Sequence, residues 1–248
     1  MLLILHKIKF MFYKSLLCIS FLATCTLGYA QTVNDVLQRM GKQYSTAESF
    51  QYNSSYVLYK TADSKKAEQA YKGFFCKNPQ NEIYMKIDQT EILNSKSINL
   101  KISHSEKAIQ IADPLKNYFG NFDIKPLLDL CKIESFKDFK TYWEITLIAK
   151  NYSNLPYSKI IIQISKKYFL QKSIFYYNTA VNFSKDYRAP KSYLPRLEVT
   201  NTNFNRKTVN PSLFTTKYYF TASGQNKYVP AERLKNYEII DLRNISNK

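Results

Sequence analysis

The chain has 248 residues and carries 36 Lys and Arg against 19 Asp and Glu, a formal charge of +17, with aromatic side chains making up 15% of it. Its length is enough for one sizeable core, and its 5 glycines are isolated from one another, which excludes a Gly-rich phosphate loop. Only 2 histidines occur, and His6 lies in an N-terminal stretch that reads as a signal, so His104 is left alone and cannot make a multi-histidine metal site.

Residues 1–30 read as a secretory signal peptide. Lys7, Lys9 and Lys14 make a basic start, and Leu16 to Ala23 is an apolar stretch too short to span a bilayer. Gly28-Tyr29-Ala30 then places small residues at the positions a signal peptidase reads before a cut at Gln31. Met11 is an alternative start with its own basic segment. Losing this stretch removes three lysines and no acid, so +17 becomes +14 for residues 31–248. In a cytoplasmic protein that charge, with 21 tyrosines, would point to nucleic acid through lysine–phosphate attraction and base stacking. Export points away from it, and the lysines are scattered, with Lys65-Lys66 and Lys166-Lys167 the only adjacent lysine pairs. They are read as solvated outer-face residues, with anionic lipid headgroups or an acidic partner as the second reading. Leu22-Ala23-Thr24-Cys25 approximates a lipobox, but Thr24 fits poorly before the cysteine, so cleavage after Ala30 is preferred to a lipid anchor at Cys25. Cys18 and Cys25 fall in the signal. That leaves Cys76 and Cys131 as either one disulfide or two buried thiols.

The exported part begins with an amphipathic helix. Val33, Val36, Leu37, Met40 and Tyr44 recur at helical spacing, and Thr32 or Asn34 can cap it. The period then changes to two. Phe50, Tyr52, Tyr56 and Leu58 predict a strand, Thr61 to Gln69 a polar turn, and Tyr71 to Lys77 the returning strand. After the break at Asn78-Pro79, strands are predicted at Ile83-Met85-Ile87, at Ile98-Leu100-Ile102 and at Ala108 to Ile111. A short helix is predicted over Ile124 to Ile133, with Pro126 in its first turn and Asp123 able to cap it. Strands resume at Trp143-Ile145-Leu147, Ile160-Ile162-Ile164 and Leu170 to Tyr177. A loop-rich stretch, Asn178 to Ser192, precedes a strand starting at Leu197 and Val199, and Tyr218 to Phe220 and Tyr237 to Leu242 are later candidates.

About ten strands joined by short turns predict one large antiparallel meander in a mainly β chain with few helices (α+β). One helix of about three turns cannot cover the apolar face of so wide a sheet, so a curved sheet forming an incomplete barrel around a hydrophobic cavity is expected. The catalytic inventory is thin. His104 sits in a tight turn as an exposed polar residue, Asp113 before Pro114 forms a turn, and Glu144 alternates with Trp143 and Ile145 and so faces solvent. With neither a nucleophile elbow nor a cysteine beside a base, no enzyme and no cofactor are expected.

Three stretches carry a resemblance. Ile102-Ser103-His104-Ser105-Glu106-Lys107-Ala108-Ile109-Gln110-Ile111-Ala112-Asp113-Pro114 is a hairpin ending in Asp-Pro. Ile162 to Phe175 is a strand, a basic turn at Ser165-Lys166-Lys167 and a return strand. Leu197 to Phe204 with Leu213-Phe214 forms a closing strand and a terminal Phe segment. Together with the order of elements, these resemble the periplasmic outer-membrane lipoprotein carrier and receptor family, the LolA/LolB-like fold. The resemblance covers residues 32 to about 220. It departs from the family in having no arginine over Phe50 to Lys60, where Lys60 is a weak substitute for an arginine that helps close the cavity lid. The Asn178–Ser192 loop is also longer than the family's turn, and residues 221–248 form a C-terminal extension.

The resemblance implies a signal peptide over residues 1–30 and a single half-barrel domain over 31–248, with one N-terminal helix and a short helical plug. It implies an exported periplasmic monomer that shields the acyl chains of a lipoprotein or another lipid, taken from an inner-membrane donor and passed to an outer-membrane acceptor. The alternative is a non-enzymatic envelope interaction protein that uses the same fold without lipid cargo. Period-two parity gives the candidate lipid-binding residues: Phe50, Tyr52, Tyr56, Leu58, Phe75, Ile83, Met85, Ile87, Trp143, Ile145, Leu147, Ile160, Ile162 and Ile164.

Overall fold

Thr32 opens the first helix with a reciprocal cap. Its hydroxyl accepts from the Asp35 amide at 3.2 Å while the Asp35 carboxylate accepts from the Thr32 amide at 3.2 Å, satisfying two of the donors a helix start leaves unpaired. The computed structural model describes residues 32–115, 125–184, 186, 188–206, 209–224 and 227–243. Residues 1–30, read as a signal peptide, and Asp123 lie outside the described residues. Two units divide the chain, Met1–Asp35 and Val36–Lys248, and every strand belongs to the second. Helix α1 spans Val33–Ser45 and buries Val36, Leu37, Met40 and Tyr44, the stripe that helical spacing predicts.

Period-two stretches form strands in chain order: β1 (Phe50–Tyr59), β2 (Ala67–Lys77), β3 (Ile83–Ile87), β4 (Thr90–Asn94), β5 (Asn99–Ser103) and β6 (Ala108–Ala112). Helix α2 (Lys125–Leu130) precedes β7 (Cys131–Asp138), β8 (Tyr142–Ala149), β9 (Tyr157–Ser165) and β10 (Leu170–Tyr177). Then come β11 (Val181–Asn182), β12 (Ser192–Tyr193), β13 (Arg196–Asn205), β14 (Phe220–Gly224), β15 (Lys227–Pro230) and β16 (Glu238–Asp241). The fold is mainly β, with one large curved sheet that stays open and does not close into a barrel, as expected.

Twelve strands share that sheet, in the order β16-β6-β5-β4-β3-β2-β1-β13-β10-β9-β8-β7. This corrects the single meander. Two meanders, β1 to β6 and β7 to β10, are joined side by side through β13, and β16 adds in parallel to β6. The helix expected over Ile124–Ile133 is also shorter. Cys131 and Ile133 pair with Ala149 and Leu147 of β8, and this ladder outcompetes further helix. Strand β4 is an addition to the strands the sequence predicts.

The register sorts side chains onto two faces. Phe50 lies opposite Lys77, which lies opposite Ile83, so these share a face with Tyr52, Phe75 and Met85 in the next row. Helix α1 lies on this side, its Tyr44 ring 5.2 Å from that of Phe50. On the other side Cys76, Tyr84, Leu93, Leu100, Ile102, Ile109 and Ile111 form a core with Val209, Tyr219, Phe220 and Leu234. The C-terminal extension therefore has a role: it folds over the reverse face of β2 to β6. Cys76 lies on that tail face and Cys131 on the helix face, and both are buried free thiols. Burial pushes the Cys76 thiol up to about 12.

Lys77 fastens α1 to the sheet. Buried among apolar neighbours, its Nζ donates to the Tyr44 carbonyl at 3.0 Å and to Asn81 Oδ1 at 3.1 Å. A carbonyl in the last turn of a helix has no partner within the helix, and this ammonium supplies one. Replacing Lys77 with Met keeps the length and leaves that carbonyl unpaired. The variant should lose about 1–3 kcal/mol of stability, read from urea unfolding.

Candidate functional site

All 14 candidate residues, drawn from β1, β2, β3, β8 and β9, lie on the helix face. Trp143, Ile145 and Leu147 sit opposite Ile164, Ile162 and Ile160, and Ile162 and Ile160 sit opposite Ser173 and Phe175 of β10. Those two pair with Val199 and Leu197 of β13, which pair with Tyr56 and Leu58 of β1. The face is thus continuous across the junction of the two meanders. Ten of the candidates are buried, while Tyr56, Leu58, Met85 and Ile87 are half-buried.

Along β1 that difference follows the strand, with Phe50 and Tyr52 buried and Tyr56 and Leu58 half-buried, whereas Leu147 and Ile160, in the row of Leu58, are buried. At one end α1 covers the face. Tyr52 stacks on Phe75 at 4.9 Å and meets the tilted Phe204 ring at 5.1 Å, while Trp143 stacks on Tyr168 at 5.2 Å and has the Lys166 ammonium 4.0 Å from its ring. Arg39 of α1 donates to the Tyr168 hydroxyl at 3.0 Å. A polar belt follows. The buried Ser54 hydroxyl donates to Asn201 Oδ1 at 2.8 Å, and Asn201 Nδ2 donates to the Leu170 carbonyl at 3.1 Å. Beside it Gly73 has no side chain, and the Tyr56 ring lies 2.9 Å from where a Cβ would stand. Any larger residue there would move that ring.

Beyond the belt the apolar surface continues without the helix. Tyr56, Leu58, Leu197, Val199 and Phe175 are half-buried, Tyr71 opposite Tyr56 is 39% exposed, and Tyr157 packs on Phe175 at 5.0 Å. A helix of 13 residues is about 20 Å long, whereas twelve strands side by side span about 50 Å, so α1 cannot cover the whole width of the face. Tyr71, Tyr157, Phe175, Leu197 and Val199 are not among the candidates. Lys172 to Tyr177 does not alternate cleanly, so its parity is illegible in sequence, and Tyr71 carries no sign that it faces Tyr56.

A separate groove of about 720 Å³ opens at the opposite end of the strands. Lys140, Lys166 and Lys167 line it with the stacked rings of Phe169 and Phe204, 4.4 Å apart, and with Asn201 and Asn203. None of the candidates lines it.

His104 corrects the expectation of an exposed turn residue. It is half-buried at the tail face, its Nε2 2.7 Å from Glu91 Oε1 and its Nδ1 2.7 Å from the Tyr237 hydroxyl. Arg233 holds the same carboxylate from Nη2 at 3.1 Å and from Nη1 at 3.3 Å. This cluster joins the extension to the sheet. Glu144, expected in solvent, is half-buried and accepts from Gln163 Nε2 at 2.9 Å. Lys60, which the resemblance reads as a weak substitute for an arginine, pairs with Glu68 at 3.1 Å. Among the described residues no three His, Cys, Asp or Glu side chains gather as a metal-ligand set, and no helix is long and apolar enough to cross a membrane.

No family model and no curated protein matches the chain. Solved structures do. An uncharacterized conserved protein from Thermus thermophilus aligns with TM-score 0.47 and 8% identity, over 85% of this chain and 99% of the other. A LolA superfamily protein from Nitrosomonas europaea aligns with TM-score 0.35 and 13% identity, over 76% and 100%. A DUF1329 family protein from Desulfovibrio piger aligns with TM-score 0.34 and 10% identity, over 74% and 96%. The LolA superfamily is the one the sequence resembles.

Proposed function

We propose that this protein is an exported, non-enzymatic lipid carrier that holds the acyl chains of a lipoprotein or another lipid against its helix face. In this reading residues 1–30 are removed as a signal peptide and residues 31–248 work in the periplasm as a monomeric carrier, between an inner-membrane donor and an outer-membrane acceptor. One observation carries it: the apolar face outruns the helix that covers it, leaving a half-exposed strip from Tyr56 and Leu58 to Leu197 and Phe175. Each methylene moved from water onto such a surface gains about 0.8 kcal/mol, so an acyl chain supplies ample driving force without a cofactor. The candidate residues then divide. Tyr56, Leu58, Met85 and Ile87 touch cargo directly, and the ten buried ones form the floor that holds them in place.

The burial of those ten favours a second reading, an envelope interaction protein on the same fold with a filled interior. Native mass spectrometry of protein purified from the periplasm, followed by lipid extraction, separates the two. A carrier should release the same acyl species in every preparation. Protein that is empty in every preparation, and that does not take up a fluorescent fatty acid, would leave only the second reading.

A further inference from the structure

The half-exposed strip runs out at one end of the strands, and three loops meet there. They are the turn over residues 60–66, the turn over 150–156, and the long connection over 178–195. Their contacts make them one surface. Arg196 Nη2 donates to the Ser64 carbonyl at 3.1 Å, the Lys60 ammonium lies 5.9 Å from the Phe183 ring, and Asn178 donates to the Leu155 and Pro156 carbonyls at 3.0 Å each. Tyr157 and Tyr177, ring to ring at 4.9 Å, carry the apolar strip up to this surface.

The composition of the surface is unusual for a rim. Tyr152 is 76% exposed and Leu194 51%, the one on the turn over 150–156 and the other on the long connection, with Tyr193 beside Leu194 also exposed. Lys65, Lys66, Arg188 and Lys191 are exposed around them, against the two exposed acids Asp63 and Asp186. An exposed tyrosine and leucine on separate loops that also carry exposed lysines and an arginine fit a lipid–water interface. The ring and the aliphatic chain enter the headgroup layer while the ammonium groups meet lipid phosphate. The two parts of the surface reinforce each other, because a membrane carrying negative charge is the partner that satisfies both.

We propose that this loop end docks the protein on an anionic bilayer surface. Docking there puts the open end of the apolar strip against the membrane, so that an acyl chain can pass between bilayer and strip without crossing water. The purpose of the docking rests on the carrier reading; the docking itself does not.

Flotation with vesicles tests it. The protein should bind phosphatidylcholine vesicles containing about 30% phosphatidylglycerol and leave pure phosphatidylcholine vesicles unbound, with binding falling as salt rises above about 0.1 M. The pair Lys65→Glu and Lys66→Glu should weaken binding at least tenfold, and so should the pair Tyr152→Ser and Leu194→Ser. The pair Lys140→Glu and Lys167→Glu changes net charge equally at the opposite end of the strands, and should weaken it far less. All these side chains are exposed, so the variants should fold, and circular dichroism checks this. Equal loss from either end would reduce the attraction to net charge alone and overturn the proposal, as would unchanged binding in the Tyr152/Leu194 pair or no binding by the parent. A fatty-acid uptake assay on the same preparations keeps the two ideas apart. Uptake without flotation removes the docking surface and leaves the carrier, and flotation without uptake does the reverse.

Discussion

Arg233→Met should cost about 3–5 kcal/mol of stability near neutral pH and free the C-terminal extension from the sheet. Glu91 stands on β4 with its side chain 5% exposed, on the parity of Leu93. Arg233 grips both its oxygens, rests 4.0 Å above the Tyr218 ring, and donates from Nε to the Tyr218 carbonyl at 2.9 Å. Without the guanidinium the carboxylate is left inside the protein with only the His104 ring and the Tyr84 hydroxyl as side-chain partners. Removing one member of a buried pair is far costlier than replacing both, so Glu91→Gln combined with Arg233→Met should recover much of the loss. Burial pushes the Glu91 carboxyl up, but the hydrogen bonds and charges of Arg233 and then His104 more than reverse this and hold it below its usual 4.5. A carboxyl lowered by folding contributes stability that is full above its unfolded value and lost as pH falls through the folded one. The parent should therefore lose stability below about pH 4.5, and the double variant should lose less of it there. Urea unfolding at several pH values, with hydrogen exchange over residues 209–243, reads both effects. An Arg233→Met variant as stable as the parent, with the same acid profile, would sink the idea.

This cluster also marks where sequence reasoning stops. Phe50, Tyr52, Tyr56 and Leu58 alternate with polar residues, so the strand and its apolar face can be read together. The same logic places Trp143, Ile145 and Leu147 on the face of Ile160, Ile162 and Ile164, where the ladder pairs them. Glu91 carries no such signal. A carboxylate beside Ile92 looks like a solvent residue, and its burial is made tolerable by partners 13 and 142 positions away. His104 misleads for the same reason, since a turn residue looks exposed until another segment packs on it. Strand β16 is a short apolar run with nothing local to say that it adds in parallel to β6. Local period fixes which way a side chain points. It does not say which distant segment will cover it, and that is why the floor of the candidate site is legible in the sequence and its open end is not.

Leu58→Glu with Leu197→Glu should abolish acyl-chain binding, at least a hundredfold in Kd for a fluorescent fatty acid, while the protein stays folded. The two side chains pair directly across β1 and β13, and Leu197 pairs onward with Phe175 of β10 and through it with Ile160 of β9. They form the middle of a row that crosses the junction of the two meanders. Both are half-buried without ligand, so two carboxylates there stay hydrated in the empty protein. A bound chain would strip that water, and a hundredfold loss needs only about 2.7 kcal/mol, less than the cost of drying two charges. Trp143 and Ile162 give a poorer test, because both are buried and a charge at either would unfold the floor before it touched a ligand. Ser55→Glu provides the control. It lies on β1 with the opposite parity and is exposed, so it adds a negative charge to the same strand and should leave binding as it was. If Ser55→Glu and the leucine pair weakened uptake equally, net charge would be the cause. If neither changed it, acyl chains would have to bind somewhere other than this row.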